Sequence, residues 1–539
     1  PISRRPGWRV ADLAERLRPE RGVLAELAAE RRSVAGAFRL SYDNLPAAAQ
    51  RMFKLLALHP GERFDAPAAA AVADLPLGDA RDLLDDLVDR HLLEEPSVGR
   101  YRFHDLVRAY AAEQAATLPA AERDAAVVGL LDHYLYVTLA ATAPLESPAT
   151  LAVRTRGVPK RPDLVRIAPA DALQWLESER PNLTAAVELA AAERQDGYAW
   201  QLARALWRFL FQRCYTDDLL RTHQLGFAAA QRLGDERAIA IMRGFLASGY
   251  HHLGQYRTAI GHLEPAVAAY RRAGDRNGVV RTLLNLCQPY LHLGRFDTAL
   301  ASAMEALELA RRMQDMNLLC HCAAAIADIN LHMERFEVAL VWSRRHLQLA
   351  RQLDIPAHLG TALSNLGAAR ARLGQLGPAY RLLKAALRVT RRTANRYGES
   401  EVLHDLGIVL TGLDRPREAV AMHRAALANL PAGGDRPRLL EFRNSLAAAL
   451  HRAGETDQAL RVYREVLTAP AVARHPLQRA RALDGIARCL LDRDERRPGA
   501  GWGRQATAYH SVATGGNEVR LRLAAAAEAE AAMCRSGVR

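Results

Sequence analysis

The strongest constraint on this chain is a repeat. Alanine recurs at Ala259, Ala299, Ala339, Ala379, Ala419 and Ala459, forty residues apart each time. Twelve residues ahead of each stands another small residue: Ala247, Cys287, Ala327, Gly367, Gly407 and Ala447. Just before those come Leu246, Leu286, Ile326, Leu366, Leu406 and Leu446. A seventh row opens at Ile486 and Ala487 and decays by Gly499. Between small residue and alanine lies a turn signal, HLGQYRTA in one row and HLGRFDTA in the next. Glycine there ends a helix through a left-handed residue, and a new helix follows. Each row therefore reads as two antiparallel helices, with small residues bringing the backbones close and the aliphatic filling the seam. One such hairpin cannot bury its apolar face alone, so several must stack. The expected fold class is all-α, a solenoid of helical hairpins.

The spacing from small residue to alanine resembles the tetratricopeptide repeat, and Tyr250 and Tyr290 fall where that family places a large residue. The period departs from the usual repeat of about 34 residues towards the armadillo and HEAT range. Longer helices or longer turns between repeats account for it, at Gly234-Asp235, Gly274-Asp275 and Gly433 to Asp435. In this family the first helix of each hairpin lines a concave face where peptides bind. The resemblance therefore implies groove candidates Asn285, Asn365 and Asp405 at one position, and Gln288 and Asp328, with Ser248, at another. His252, His292 and His332 recur at a third, followed by Arg372 and Arg452. Histidines one repeat apart stand about 10 Å from each other, too far to share a metal, so this position is expected to be a solvated helix end.

Composition excludes several classes. The chain of 539 residues is long enough for several domains. Its net charge of +13 is carried by arginine, since Lys54, Lys160 and Lys384 are its lysines. Basic charge alone identifies no partner. The six cysteines lack framework spacing, and Cys320 and Cys322 flank His321 without a second pair, so no metal site is expected. Reduced thiols in a cytoplasmic protein are the default. No signal peptide is evident. The most apolar run, Ala125 to Leu145, is interrupted by Asp132 and His133 and reads as a buried helix, so no membrane contact is expected. A phosphate loop needs Gly-Lys followed by Ser or Thr, whereas Leu55, Arg161 and Ala385 follow the three lysines. The chain alone should not hydrolyse nucleotide, and no nucleophile or metal constellation marks it as an enzyme.

Residues 33–118 form a second pattern. Ser33 can cap a helix through Tyr42, Pro46 opens another, Asp65-Ala-Pro a third and Gly78-Asp79 a fourth. HLLEE and RYRFH, joined by PSVG, read as a hairpin near 92–104, and Asp105 is placed to cap a last helix. Helices, a hairpin and a helix make the winged-helix plan. The candidate recognition helix, 79–91, carries Asp79, Asp82, Asp85, Asp86 and Asp89 against Arg81 and Arg90, which opposes approach to DNA phosphates.

SVAGAFRLSYDNLPAAAQRMFKLLALHPG, followed by LLDDLVDRHLLEEPSVGRYRFHDLVRAYA, resembles the winged-helix part of AfsR-like regulators, in the SARP family and STAND class. Members order a DNA-binding head, an NB-ARC nucleotide switch ending in this winged helix, and C-terminal tetratricopeptide repeats. The resemblance implies that residues 1–32 end the helical subdomain of the switch. It also implies that Phe103-His104-Asp105 stands for its Met-His-Asp motif, Phe replacing Met, with His104 contacting the β-phosphate of ADP. From the residues alone, an imidazole just before a helix start can donate to phosphate, and equally can pack beneath the wing.

Residues 119–196 read as a helical linker containing an exposed polar segment, APLESPATLAVRTRGVPKRPD. In QWLESERPNL, which resembles the start of the family's sensor, Pro181 and Asn182 are expected at a helix boundary. Residues 197–500 are the repeats. Their first row is irregular, with Trp200, Trp207, Phe209 and Phe211 expected in the core, and 501–539 form a cap or tail. The implied function is the sensor part of such a regulator. ADP or ATP would enter only with the missing NB-ARC portion, and this chain alone would carry no cofactor. The implied partners are that domain of the same protein and a protein, peptide or small ligand in the groove. DNA would be bound only through a missing head. The alternative is a free-standing tetratricopeptide scaffold.

Overall fold

The computed structural model of the chain describes residues 34–145, 157–393, 395–430 and 436–496. The expectations for 1–32, for Ser33, for part of the polar segment, for the Gly433 to Asp435 turn and for 501–539 lie outside them. The chain divides into two compact units, Pro1–Leu206 with Thr222–Asp235 and Trp207–Arg221 with Glu236–Arg539.

In the first unit, α1 (Val34–Asp43) and α2 (Ala47–Leu56) precede β1 (Arg63–Asp65), then α3 (Ala66–Ala73), α4 (Leu77–Asp89), β2 (Glu94–Ser97), β3 (Arg100–Arg102), α5 (Asp105–Ala115) and α6 (Ala120–Thr142). The expected hairpin is present, but its sheet has three antiparallel strands in the order β1-β3-β2. β1 escapes a pattern search because Arg-Phe-Asp is too short to alternate. It forms because Phe64 is buried against Tyr101 while Arg63 pairs with Arg102 and Asp65 with Arg100. Asp65 also ends that strand by accepting a 2.9 Å hydrogen bond from the Ala68 backbone N–H, capping α3. Phe53, Phe64, Phe103 and Tyr110 form the core. Among the described residues one helical stretch, Ala120–Leu145, is long and apolar enough to cross a membrane, and its apolar window is 72% buried within the protein.

After α6 the chain reaches α7 (Ala172–Ala192), α8 (Asp196–Gln212) and α9 (Thr216–Leu233). Pro181 does not mark a boundary as expected: α7 runs through it. The missing N–H costs one helical bond, while neighbouring side chains hold the segment. Asn182 donates to the Arg63 carbonyl at 2.8 Å and to Glu179 at 2.7 Å.

The repeats follow as α10 (Glu236–His252), α11 (Tyr256–Arg272), α12 (Arg276–His292), α13 (Phe296–Met313), α14 (Met316–His332), α15 (Phe336–Leu353), α16 (Pro356–Arg372), α17 (Leu376–Arg392), α18 (Arg396–Gly412), α19 (Pro416–Asn429), α20 (Arg436–Arg452), α21 (Thr456–Thr468) and α22 (Pro476–Arg496). First helices begin forty residues apart, as the spacing requires. Ala259, Ala299, Ala339, Ala379, Ala419 and Ala459 are all fully buried. A Cβ on Gly367 would stand 2.8 Å from the Leu383 side chain, and one on Gly407 would stand 2.5 Å from the His423 ring. The turn inside each hairpin is left-handed at Gly254, Gly294, Glu334, Gly374, Asp414 and Gly454, so two repeats make it without glycine. Turns between repeats are left-handed at Gly234, Gly274, Gln314 and Asp354. Asp275, Asp315 and Asn395 then cap the next first helix through their side chains. Longer helices account for much of the stretched period, since each first helix in the array from α10 to α20 spans 17 residues.

Candidate functional site

In the first unit, β3 delivers Phe103-His104-Asp105 to the start of α5. Phe103 is buried edge-on against Phe53 at 5.4 Å between ring centroids, with Phe64 at 6.1 Å. That anchor leaves the next residue no room inside, and His104 is exposed. His104, not Asp105, is the helix cap: its Nδ1 accepts from the Leu106 N–H at 3.4 Å. Asp105 could not take that place because it already has helical backbone in the first turn, where its charge suits the helix dipole. A ring whose Nδ1 accepts carries its proton on Nε2. His104 therefore presents one N–H donor outward, and it does not pack beneath the β2–β3 hairpin.

Behind this motif lies a buried polar network that the sequence pattern did not disclose. Arg100 of β3 is ion-paired and hydrogen-bonded to Glu179 of α7, which is 2% exposed. Desolvation works against the charge on Arg100, but Glu179 outweighs it and raises the guanidinium pKa. Burial pushes the Glu179 carboxyl up, aided by nearby Asp65 and opposed by Arg100 and Asn182. His59 Nε2 shares a 2.6 Å hydrogen bond with the Tyr134 hydroxyl on α6. Arg108 of α5 donates to the carbonyls of Gly61 and His59 at 2.8 and 3.1 Å. Small sheet, α5, α6 and α7 are thus joined by bonds that each occur once. On α4 the five aspartates are exposed, so the helix presents a negative face.

In the second unit, the groove candidates lie on the first helices of their hairpins, as expected. Asn285 on α12 is exposed, and Asn365 on α16 and Asp405 on α18 are partly buried. Gln288 on α12 donates to Asp328 on α14. Asp405 is hemmed in by protein, and burial raises its carboxyl to about 7 despite Arg372 nearby. Glu441 on α20 lies in the same field: burial acts to raise it, yet His404, Arg481 and Arg438 bring it down to about 2.

The recurrent histidines do not behave alike. His332 stays open to solvent, bonded through Nδ1 to the Asp328 carbonyl at 2.9 Å. His292 is stacked on Tyr256 at 4.5 Å, and His251 lies 5.3 Å from both. His252 is 2% exposed, and burial, reinforced by Arg438, lowers its pKa to about 3. Its ring lies 4.4 Å from Phe211 at the end of α8 and stacks on Tyr397 of α18 at 4.9 Å. Phe211 and Tyr397 are 5.7 Å apart. Arg438 lies over the Tyr397 ring at 5.4 Å and is ion-paired with Glu401. Phe209 is core as expected, but Trp207 and Phe211 belong to this aromatic surface, with Trp207 stacked on Phe245 at 4.6 Å.

The tetratricopeptide repeat family matches residues 237–312 and 358–432, and a second tetratricopeptide repeat model matches 444–479. The regulatory protein AfsR of Streptomyces coelicolor is 38% identical over 229 residues, 41% of this chain and 22% of the relative. The chain carries tetratricopeptide repeats and is similar to AfsR over that stretch. The regulatory protein AfsR of Streptomyces griseus is 39% identical over 193 residues, 35% of the chain and 20% of the relative. The chain thus spans about a fifth of the length of these relatives. In fold it is similar to a crystal structure from Pyrococcus horikoshii, a Signal Transduction ATPase with Numerous Domains (STAND) protein with a tetratricopeptide repeat sensor. The TM-score is 0.56 at 14% identity, covering 99% of this chain and 73% of that one.

Proposed function

We propose that this chain is the sensor and relay part of a STAND-type, AfsR-like transcriptional regulator of the cytoplasm. The repeat array takes up a protein, peptide or small ligand on the face carrying Asn285, Gln288, Asp328, Asn365 and Asp405. The helix-and-sheet unit, read as a winged helix, passes the liganded state to an ADP/ATP switch in the NB-ARC domain of the same protein. DNA is met by a separate head, since the exposed aspartates of α4 repel phosphate.

The observation that carries this reading is the placement of His104. It is exposed, fixed from behind by Phe103, and turned so that Nε2–H is the outward donor. That fits one contact to a phosphate oxygen. It does not make a complete nucleotide site, and the main cradle belongs to the NB-ARC domain. Bound ADP brings a negatively charged phosphate, and a charge-assisted bond to it is worth about 1.5–3 kcal/mol. Losing that bond shifts a two-state equilibrium about tenfold or more. In the full-length regulator, His104→Ala should therefore weaken ADP retention and raise basal reporter output without inducer. In this chain alone it should leave calorimetric nucleotide binding unchanged. If the full-length variant holds ADP as tightly as the parent and stays silent, His104 is a helix cap and no more.

A further inference from the structure

We infer that Tyr397, seated between His252 and Phe211, is a clasp that holds the repeat array curled on itself. Neighbouring repeats touch through seams that recur along the array, and those seams fix local curvature only. The contact at Tyr397 is of another kind. It joins the first turn of α18 to the last turns of α10 and α8, four and five hairpins earlier in the chain. The repeat itself does not ask for this ring. Positions forty residues apart from Tyr397 hold Arg237, Asn277, Asn317, Ala357, Pro437 and Leu477, none of them aromatic. The residue over the ring is equally singular, since Arg438 corresponds to Ala238, Gly278, Leu318, His358 and Gly398. Glu401 fixes the Arg438 guanidinium by ion pairing, so the cation is held over the ring face it stabilises.

Three rings within 4.4 to 5.7 Å of one another make a small contact beside the large seams of the array. A contact of that size can open without any hairpin unfolding, because stacked repeats draw their stability from their neighbours. His252 remains neutral within it, so the stack is not opposed by a second positive charge beside Arg438. Tyr397 and Arg438 lie on α18 and α20, first helices of their hairpins like those of the groove candidates. As a means of regulation, opening the clasp rests on the sensor reading above; the curl itself does not.

The test is small-angle scattering on the 539-residue chain without ligand, with circular dichroism alongside. Tyr397→Ala should increase the radius of gyration while keeping the helical signal, and Tyr397→Phe should match the parent. Phe211→Ala, on the opposite side of the contact, should reproduce the increase. A folded alanine variant with the parent's radius of gyration overturns the proposal, because curvature would then come from the seams alone. If one alanine variant loses its helical signal, the other decides. Loss in both overturns the clasp as well, since the rings would then be core. None of these outcomes involves a ligand, so a failed clasp leaves the sensor reading standing.

Discussion

In the array, the packing that surrounds Ala339 occurs again around Ala379 and again around Ala419. In the helix-and-sheet unit, the packing that surrounds Arg100 occurs once. There the small sheet is tied to α7 by Arg100, which meets Glu179 and Ser178, and by Asn182 on the Arg63 carbonyl, bonds that follow no repeat. The array is stable by repetition, so a defect in one seam leaves its neighbours in place. The other unit is stable by single specific bonds, so one deletion strands a partner in the interior.

The sharpest way to break this comparison is Arg100→Ala. It leaves Glu179 buried without its cation, which costs about 3–5 kcal/mol. The urea midpoint of the chain should show an early transition that the parent lacks. If both melt alike, the network is not what holds the first unit.

Acid is the perturbation the two units share. His59 and His133 in the first, and His252 and His404 in the second, are all buried. Burial lowers them to about 3, 4, 3 and 4 respectively. Unfolding restores an ordinary histidine, so the unfolded chain binds more protons between those values and about 6.5, and stability falls as pH drops through that window. Asp405, raised from 3.8 to about 7, binds its extra proton in the folded chain and acts in the opposite sense across most of it. The net loss from pH 6.5 to 4.5 should be on the order of 2 kcal/mol or more, read as a lower urea midpoint. A midpoint that rises towards pH 4.5 would show these rings to be protonated in the folded chain.

Seams come next. Gly407→Leu forces a side chain into the His423 ring and should cost about 1–3 kcal/mol. Hydrogen exchange should quicken in α18 and α19 and keep its parent rate in α10 to α13; an equal loss of protection throughout would refute nearest-neighbour stability. Smallest is Asp275→Ala, which removes the 2.9 Å bond to the Gly278 N–H that caps α12 and should cost about 1 kcal/mol. The exchange rate of the first turn of α12 checks it.

The same contrast explains what could be read without a structure. Period alone located the alanines, the small residues facing them and the turns, because each is dictated by contacts within one row. It even survives Glu334 and Asp414 taking the left-handed place of glycine. It could not place Arg100 against Glu179 or Tyr397 against His252, since those partners lie far apart in sequence and follow no spacing. Pro181 misled for a related reason: local preference predicts a break, and the long-range bonds of Asn182 to the Arg63 carbonyl and of Arg100 to Glu179 override it. At His104 the helix start was legible, but the identity of the capping side chain depended on whether the ring was forced out by Phe103. Tyr397 did leave a trace, as an aromatic where no other row has one, though only an observer looking for departures from the repeat would stop there.

Gly367 meets Leu383, and Gly407 meets His423, within the same forty-residue row. At the same two positions the other rows hold Ala247 with Leu263, Cys287 with Ala303, Ala327 with Ser343 and Ala447 with Tyr463. The complement travels with the row. A duplication or loss of one whole hairpin, cut between hairpins, would carry both halves of its fit, whereas exchanging a single helix between rows would set Leu383 against Cys287. The unit that keeps its own fit in this array is therefore the hairpin, and gain or loss of whole hairpins changes the length in steps of forty.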